Sequence, residues 1–406
     1  MSNVAILHYS APPIVGGVES VIDHHARMMV AAGHTVRIIA GRGQATDRRI
    51  AFAKIPLIDS LHSRVLAAKQ FLDAGKLPAT WPRLVADIST RLHTALAGVD
   101  VLFAHNVASL HKNLALTAAL YQLSLQPNFP RLILWHHDLA WGSERYGQEL
   151  HSGQPWDLLR TPWPAATQVT ISTTRQAELA RLLNIPPGQI LVVPNGVSPR
   201  LFFKLGRLSI ELVNSLNLLA ASPLLLMPVR LTSRKNIELA LHSLAELRKQ
   251  MPDARLLITG PLGPHNPANH GYFEKLKQLR AELGLEQSAH FLAEHVADFI
   301  PDEVISDFYQ LADALFLPSK DEGFGIPVLE AGLAGIPVFC SNIPALEELG
   351  GEEAYYFSPS SAPTDVAALI SNTLQASPTW RLRARVRGEY TWQQIYNQHL
   401  ARLVAA

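Results

Sequence analysis

Residues 314–330 read Ala-Leu-Phe-Leu-Pro-Ser-Lys-Asp-Glu-Gly-Phe-Gly-Ile-Pro-Val-Leu-Glu. The apolar run up to Pro318 has the length and composition of a buried strand, and Pro327 suits the first turn of a helix. Between them Gly323 and Gly325 lack the Cβ that would hold a ligand away, so the free amide hydrogens of the helix start can face an anion. Strand, glycine loop and helix start together form a phosphate-binding geometry. Glu322 falls in the loop and Glu330 one turn into the helix, so both carboxylates can border one pocket. A carboxylate accepting paired hydroxyl hydrogens reads a sugar. A Gly-rich turn with two solvated glutamates is the plainer alternative.

Outward from this segment the same alternation continues. Towards the N-terminus, apolar runs at Leu224–Val229, Arg255–Thr259 and His290–Leu292 read as strands, and Pro337–Cys340 follows on the other side. A helix over Asn236–Gln250 carries Ile237, Ala240, Leu241 and Leu244 on one stripe. Earlier in the chain a first series runs through Val4–Tyr9, Val36–Ala40, Val99–Ala104, Arg131–Trp135, Gln168–Ile171 and Ile190–Val193. A helix over Val18–Gly33 lies between the first two runs. Continuous apolar strands alternating with helices predict parallel sheets covered on both faces, hence an α/β fold of two doubly wound lobes. In open sheets ligands sit outside the carboxyl ends of the strands, which places the expected site in a cleft between the lobes. Leu57–Leu96, broken by Pro78 and Pro82, reads as helices inserted near that cleft, either solvated or a contact surface.

With 406 residues the chain exceeds one ordinary core. Hydrophobic residues at 48% and charged residues at 17% suit a folded globular protein rather than a disordered one. Lys and Arg number 35 against 34 Asp and Glu, so no net field draws the chain to nucleic acid, and no nucleic-acid partner is expected. Cys340 is the only cysteine, and the N-terminus shows no basic stretch leading into an apolar one, which predicts a cytoplasmic location. The most apolar stretch, Leu212–Leu231, is interrupted by Asn214, Asn217, Pro223 and Pro228, so no membrane span is expected. Gly41-Arg42-Gly43 lacks the third glycine of a dinucleotide fingerprint, and no P-loop or His-Glu-x-x-His pattern occurs, which disfavours dehydrogenase, NTPase and zinc chemistry.

The spacing of Glu322 and Glu330 resembles the Glu-x7-Glu motif of the retaining GT-B glycosyltransferases of family 4, the group 1 transferases. Further matches follow in the family's order: Gly16-Gly17-Val18-Glu19, His137-Asp138, Pro194-Asn195-Gly196-Val197, Arg230-Leu231 and Lys235-Asn236. The resemblance covers nearly the whole chain. It implies a GT-B architecture divided into an acceptor-side Rossmann-like domain over 1–205, a nucleotide-sugar donor domain over 206–380 and a C-terminal helix over 381–406 crossing back to the first lobe. Tyr390-Thr391-Trp392 leads into that helix.

Arg230 ends a strand and Lys235 precedes a helix, so two cations and a helix N-terminus can converge on one anion. The resemblance assigns these positions to the donor diphosphate, approached from the first lobe by Gly16 and Gly17. It assigns Glu330 to the ribose hydroxyls, and Glu322 with Gly323 and the amides of Phe324 and Gly325 to the donor sugar. His137 matches the histidine beside the reacting sugar, although His136 adjoins it and strand alternation turns the two to opposite faces. His137 fits the register because Asp138 follows, and His136 fits a buried hydrogen-bonded residue. The catalytic set implied is thus His137, Glu322, Arg230 and Lys235. The implied reaction moves a hexose from a UDP- or GDP-linked donor to a hydroxyl of a sugar, lipid-linked or small-molecule acceptor. No cofactor is implied, and no metal: Asp-x-Asp does not occur in the sequence. Peripheral contact with the inner face of a membrane is compatible with lipid-linked acceptors.

A nucleotide-sugar 2-epimerase of the same fold and a non-catalytic nucleotide-sugar binding module are the competing readings. Trp135, Trp141, Trp156 and Trp163, with Tyr146, His151 and Arg160, form an aromatic stretch that is a candidate acceptor platform or, equally, a set of core and loop anchors.

Overall fold

A computed structural model describes residues 1–261, 268–296 and 300–405. The chain divides into two units, Met1–Val197 with Tyr390–Ala406, and Ser198–Glu389. The first holds β1 (Asn3–Leu7), β2 (Thr35–Ala40), β3 (Ala51–Lys54), β4 (Val101–His105), β5 (Arg131–His136), β6 (Thr167–Thr170) and β7 (Ile190–Val192). They form one sheet in the order β3-β2-β1-β4-β5-β6-β7, every pair parallel. The second unit carries β8 (Leu224–Met227), β9 (Arg255–Ile258), β10 (Ala289–Phe291), β11 (Ala314–Leu317), β12 (Val338–Ser341) and β13 (Tyr355–Phe357), in the order β10-β9-β8-β11-β12-β13, again parallel throughout. Each sheet reverses direction of growth once, between β1 and β4 and between β8 and β11. At such a switch point the loops leaving neighbouring strands diverge and open a crevice.

Alternation along the strands sorts the first unit's core into two layers. Val4 and Ile6 of β1 join Ile38, Phe103, Ile133 and Trp135 beneath the helix Gly17–Ala31. Ala5 and Leu7 join Leu102, Ala104 and Leu134 on the other face, covered by helices Trp81–Ala95 and Leu114–Ser124. Leu84, Val85, Ile88 and Leu92 of Trp81–Ala95 are all buried. This corrects the reading of 57–96 as inserted or solvated helices: the second of them covers the sheet between β3 and β4. Pro82 stands in its first turn, where its missing N–H costs nothing, and so starts the helix instead of breaking it.

The C-terminal segment belongs to the first unit. Val197 N donates to the Tyr390 carbonyl, Trp392 N donates to the Val197 carbonyl, and the Ser2 hydroxyl donates to the Val404 carbonyl at 2.7 Å. Trp392, Ile395 and Leu400 are buried in the layer under Gly17–Ala31, each worth about 1.5–3 kcal/mol of apolar burial. The segment expected to cross back, 381–406, is longer than the part that does. Residues 381–389 stay with the second unit in the helix Pro378–Glu389, because Arg387 is buried there against Asp313 with Nη1–Oδ2 at 2.8 Å and Nη2–Oδ1 at 3.0 Å. The other division likewise falls after Val197 rather than at 205/206: Gly206 donates to Asp307, and Leu205, Leu212 and Val213 enter the second core. No helix among the described residues is long and apolar enough to cross a membrane.

Candidate functional site

In the second unit the expected residues gather at the carboxyl ends of β8 and β11, beside the switch point. β8 leads to Arg230 and then to Asn236, whose left-handed backbone (φ 54°) begins the helix Ile237–Arg248. The Asn236 amide donates to the carbonyls of Pro318 and Pro359 at 3.0 and 2.9 Å. Lys320 N donates to the Arg234 carbonyl at 2.8 Å, so the two loops are laced together. This bracing presents Lys235 to Glu322. Lys235 Nζ donates to Glu322 Oε1 at 2.5 Å, and the Ser319 hydroxyl donates to the same oxygen at 2.7 Å. Both side chains are about nine-tenths enclosed, at 9% and 10% exposure, so the pair is little screened by water.

Arg230 is exposed and has no ion-pair partner among the described residues. Its neighbour Arg234 instead meets Asp321 at 3.4 Å on the surface. Gly260, at the end of β9, packs under this loop: a Cβ there would lie 1.8 Å from the Val229 carbonyl oxygen. Sequence inspection passed over it, since close approach of two loop backbones leaves no local pattern.

The glycine loop behaves as its composition predicts at one point and differently at another. A Cβ on Gly323 would meet nothing within 4 Å, so protein does not fill the space beside it. Gly325 has φ 102° and caps the helix Ile326–Ala334, and a Cβ there would come within 2.7 Å of Leu346 Cδ2. Substituting Gly325→Ala is expected to destabilise the second unit by about 1–3 kcal/mol, measured by chemical denaturation. Phe324 is 54% exposed at the loop tip. Glu330 accepts a hydrogen bond from the Tyr309 hydroxyl at 2.6 Å through Oε2. Burial first, and then this carboxylate, pushes the Tyr309 phenol well above its ordinary range, so it stays a donor. Tyr309 and Ser319 were not singled out from sequence, and Asn236 was noted there only as part of the Lys235-Asn236 match and not for its bracing contacts.

In the first unit, Gly16 and Gly17 open the helix Gly17–Ala31. The Gly16 backbone is extended, and a Cβ there would sit 2.1 Å from Glu19 Oε2, so a larger residue would have to displace the Glu19 carboxylate. A Cβ on Gly17 would meet nothing. The Ser10 hydroxyl donates to Glu19 Oε1 at 2.5 Å, and His8 Nε2 stands 3.9 Å from that oxygen.

The adjacent histidines turn to opposite strands. His136 Nε2 meets Gln168 Oε1 of β6 at 2.8 Å, whereas His137 Nε2 meets His105 Nδ1 of β4 at 3.0 Å. Asn106, in left-handed backbone, accepts from His137 N at 2.8 Å and Asp138 N at 3.3 Å through its side-chain oxygen. His8 Nδ1 contacts the His105 carbonyl at 2.9 Å, so β1, β4 and β5 contribute to one imidazole cluster. His25 stands beside it, edge-on to Trp135. Of these sequence reasoning found only the pair at 136–137; the others meet across strands about 100 and 30 positions apart in sequence, a separation no local motif encodes.

Burial holds the cluster neutral. Desolvation lowers His137 to about 3, with His8 and His136 adding to the effect, and lowers His136 to about 4 and His25 to about 3. Each group binds a proton near its ordinary value of about 6.5 when unfolded and far lower when folded, so protons favour the unfolded state. Stability is expected to be full above about pH 6.5 and to fall on acidification, by up to about 1.4 kcal/mol per pH unit per histidine. Denaturant midpoints at pH 7 and pH 5 test this, and equal midpoints would contradict it.

The aromatic stretch is internal. Trp135, Trp156 and Trp163 are 0%, 4% and 3% exposed, so they have no ring face for a sugar, which corrects the acceptor-platform reading for these three. Trp141 is half-buried, with the Arg160 guanidinium over its ring at 4.1 Å and its indole N–H on the Trp156 carbonyl. Tyr146 lies edge-on to His111. Asp73, His111 and Glu149 bring ligand atoms within 4.8 Å of one another, and the Lys69 ammonium bridges both carboxylates at 2.6 and 2.7 Å. The trio with Lys69 thus forms an ion-pair network tying Glu144–Glu149 to the helix Ser63–Asp73.

Comparison with known proteins gives two family matches and several relatives. The family described as Glycosyltransferase Family 4 matches residues 15–201, and that described as Glycosyl transferases group 1 matches 211–387. An MMP alpha-(1->4)-mannosyltransferase of Mycolicibacterium hassiacum is 25% identical over 98% of this chain and 97% of its own length. A glycogen synthase of Mycobacterium tuberculosis is also 25% identical, over 97% of this chain and 92% of its own. Among solved structures, a sucrose-phosphate synthase from Thermosynechococcus elongatus matches with a TM-score of 0.40 and 19% identity, covering 99% of this chain and 98% of the other.

Proposed function

From the premise that this chain belongs to the group 1, family 4 glycosyltransferases, with their GT-B fold, we propose that it moves a hexose from a UDP- or GDP-linked donor to a hydroxyl acceptor. The transfer retains the anomeric configuration and uses no metal. Mannose is the first donor sugar to consider, since a full-length relative bears a mannosyltransferase name, and glucose the second. The observation that carries the proposal is the enclosed Lys235–Glu322 pair at the carboxyl ends of β8 and β11, with exposed Arg230 on the same loop as Lys235 and without an ion-pair partner among the described residues.

In the proposed reaction the bond from the anomeric carbon to the β-phosphate oxygen breaks. A bond to the acceptor oxygen forms on the same face, and the acceptor proton passes to the departing phosphate. Arg230 and Lys235 offset the charge that builds on the diphosphate, each through charged hydrogen bonds worth about 1.5–3 kcal/mol. Amides at the start of Ile326–Ala334 add to this field. Glu330 takes the ribose hydroxyls through the oxygen that Tyr309 leaves free, and Glu322 takes hydroxyls of the sugar.

The test offers UDP-, GDP- and ADP-linked glucose and mannose, with and without EDTA, to the chain together with sugar and lipid-linked acceptors. Free nucleoside diphosphate and a glycoside of the donor's anomeric configuration are expected, unchanged by EDTA. An isomerised sugar would identify a 2-epimerase instead, and binding with no release to any acceptor or water would identify a binding module.

A further inference from the structure

We propose that His105 is a positioning residue that fixes His137 as the neutral tautomer protonated on Nδ1, so that His137 offers substrate a hydrogen-bond donor. The part concerning substrate rests on the transferase reading; the part concerning the tautomer does not.

The bond between His105 Nδ1 and His137 Nε2, 3.0 Å long, can run in either direction. If His137 donated, the proton of neutral His105 would sit on its Nε2. That nitrogen is fully enclosed and has no hydrogen-bond partner. A buried N–H without an acceptor is among the rarest states in folded proteins, whereas an unfilled lone pair is better tolerated. The favoured direction is therefore His105 Nδ1–H to His137 Nε2, which leaves the His137 proton on Nδ1.

His105 cannot turn to escape this choice. It is fully buried and stacked on Trp135, with centroids 5.3 Å apart and planes 22° from parallel. The Asn106 side chain meanwhile fixes the main chain of His137. His137 Nδ1 has no protein partner among the described residues and is not sealed from solvent, unlike both nitrogens of His25. The titratable groups around the ring are His8 just after β1, His105 on β4, His136 on β5 and His25 on the helix Gly17–Ala31. Of the neighbouring acids, Glu19 is already engaged by Ser10 and His8, and Asp138, the residue after His137, is exposed. A neutral ring of this tautomer reads an acceptor oxygen of the bound sugar and cannot serve as the base that takes the acceptor's proton.

Long-range proton–nitrogen correlation spectra of the full chain, with His137 assigned by its loss in His137→Gln, read the tautomer directly. Protonated Nδ1 and bare Nε2, unchanged between about pH 5.5 and 8, are expected from a ring held neutral by burial; the reverse pattern in the wild type overturns the proposal. Two variants read the consequence. His105→Asn keeps a donor amide near the lost Nδ1 and is expected to retain the tautomer, with kcat within about fivefold. His105→Asp supplies an acceptor, draws the proton to Nε2, and is expected to lower kcat roughly thirtyfold or more with little change in donor KM. Equal spectra and equal kcat in the two variants would overturn it. A chain that shows the expected tautomer yet turns over no sugar nucleotide would support the His105 assignment and refute the transferase reading.

Discussion

Replacing Lys235 with alanine is expected to slow donor turnover by roughly ten- to a few hundred-fold, the equivalent of one or two charged hydrogen bonds lost from the transition state. The same substitution is expected to cost about 3 kcal/mol of stability, because among the described residues Glu322 is left enclosed with only the Ser319 hydroxyl to meet its charge. Two effects from one side chain call for separation. The double variant Lys235→Met with Glu322→Gln removes the orphaned charge, so most of the stability should return while turnover stays low. Denaturation and nucleotide release on the same preparations check both halves. If turnover recovered along with stability, Lys235 would serve the fold and not the chemistry.

Arg387→Met is expected to be the most destabilising single change in the second unit, by about 3–5 kcal/mol. Asp313 has a side chain 1% exposed, and besides Arg387 it accepts from Leu224 N at 2.8 Å, at the start of β8. Removing the guanidinium strands that carboxylate beside the central strand of the sheet. Arg383, 3.6 Å from Asp313, supplies part of the missing charge and favours the lower end of the range. At roughly 2–4 °C per kcal/mol for a unit of this size, the melting transition should fall by roughly 6–20 °C. Amide exchange in Pro378–Glu389 should quicken at the same time, and an unchanged melting temperature would show that the pair contributes nothing net.

The central strands were legible because parallel strands buried on both faces leave unbroken apolar runs, as in Val101–Ala104 and Ala314–Leu317. Two of the four edge strands, Ala51–Lys54 and Tyr355–Phe357, were not, because most of their residues are partly or fully exposed and leave no long apolar run. The Glu322–Glu330 segment could be read because strand, loop and helix are consecutive in sequence. What braces it could not: Asn236, Ser319 and Tyr309 act through contacts closed only by folding. The tryptophans misled for a related reason. A large ring fills a core as readily as it stacks on a sugar, and composition does not distinguish the two. The division at 381 erred because Arg387 looks like a surface charge until Asp313 is seen beneath it.

The central claim is that Arg230, Lys235 and the paired glutamates of the second unit hold a nucleoside diphosphate. A crystal structure of the chain soaked with UDP or GDP tests it most directly. The account predicts phosphate oxygens within hydrogen-bonding distance of Lys235 Nζ and the Arg230 guanidinium, with the ribose hydroxyls on Glu330. Phosphates bound elsewhere, with the Lys235–Glu322 pair untouched and Arg230 in solvent, would contradict it.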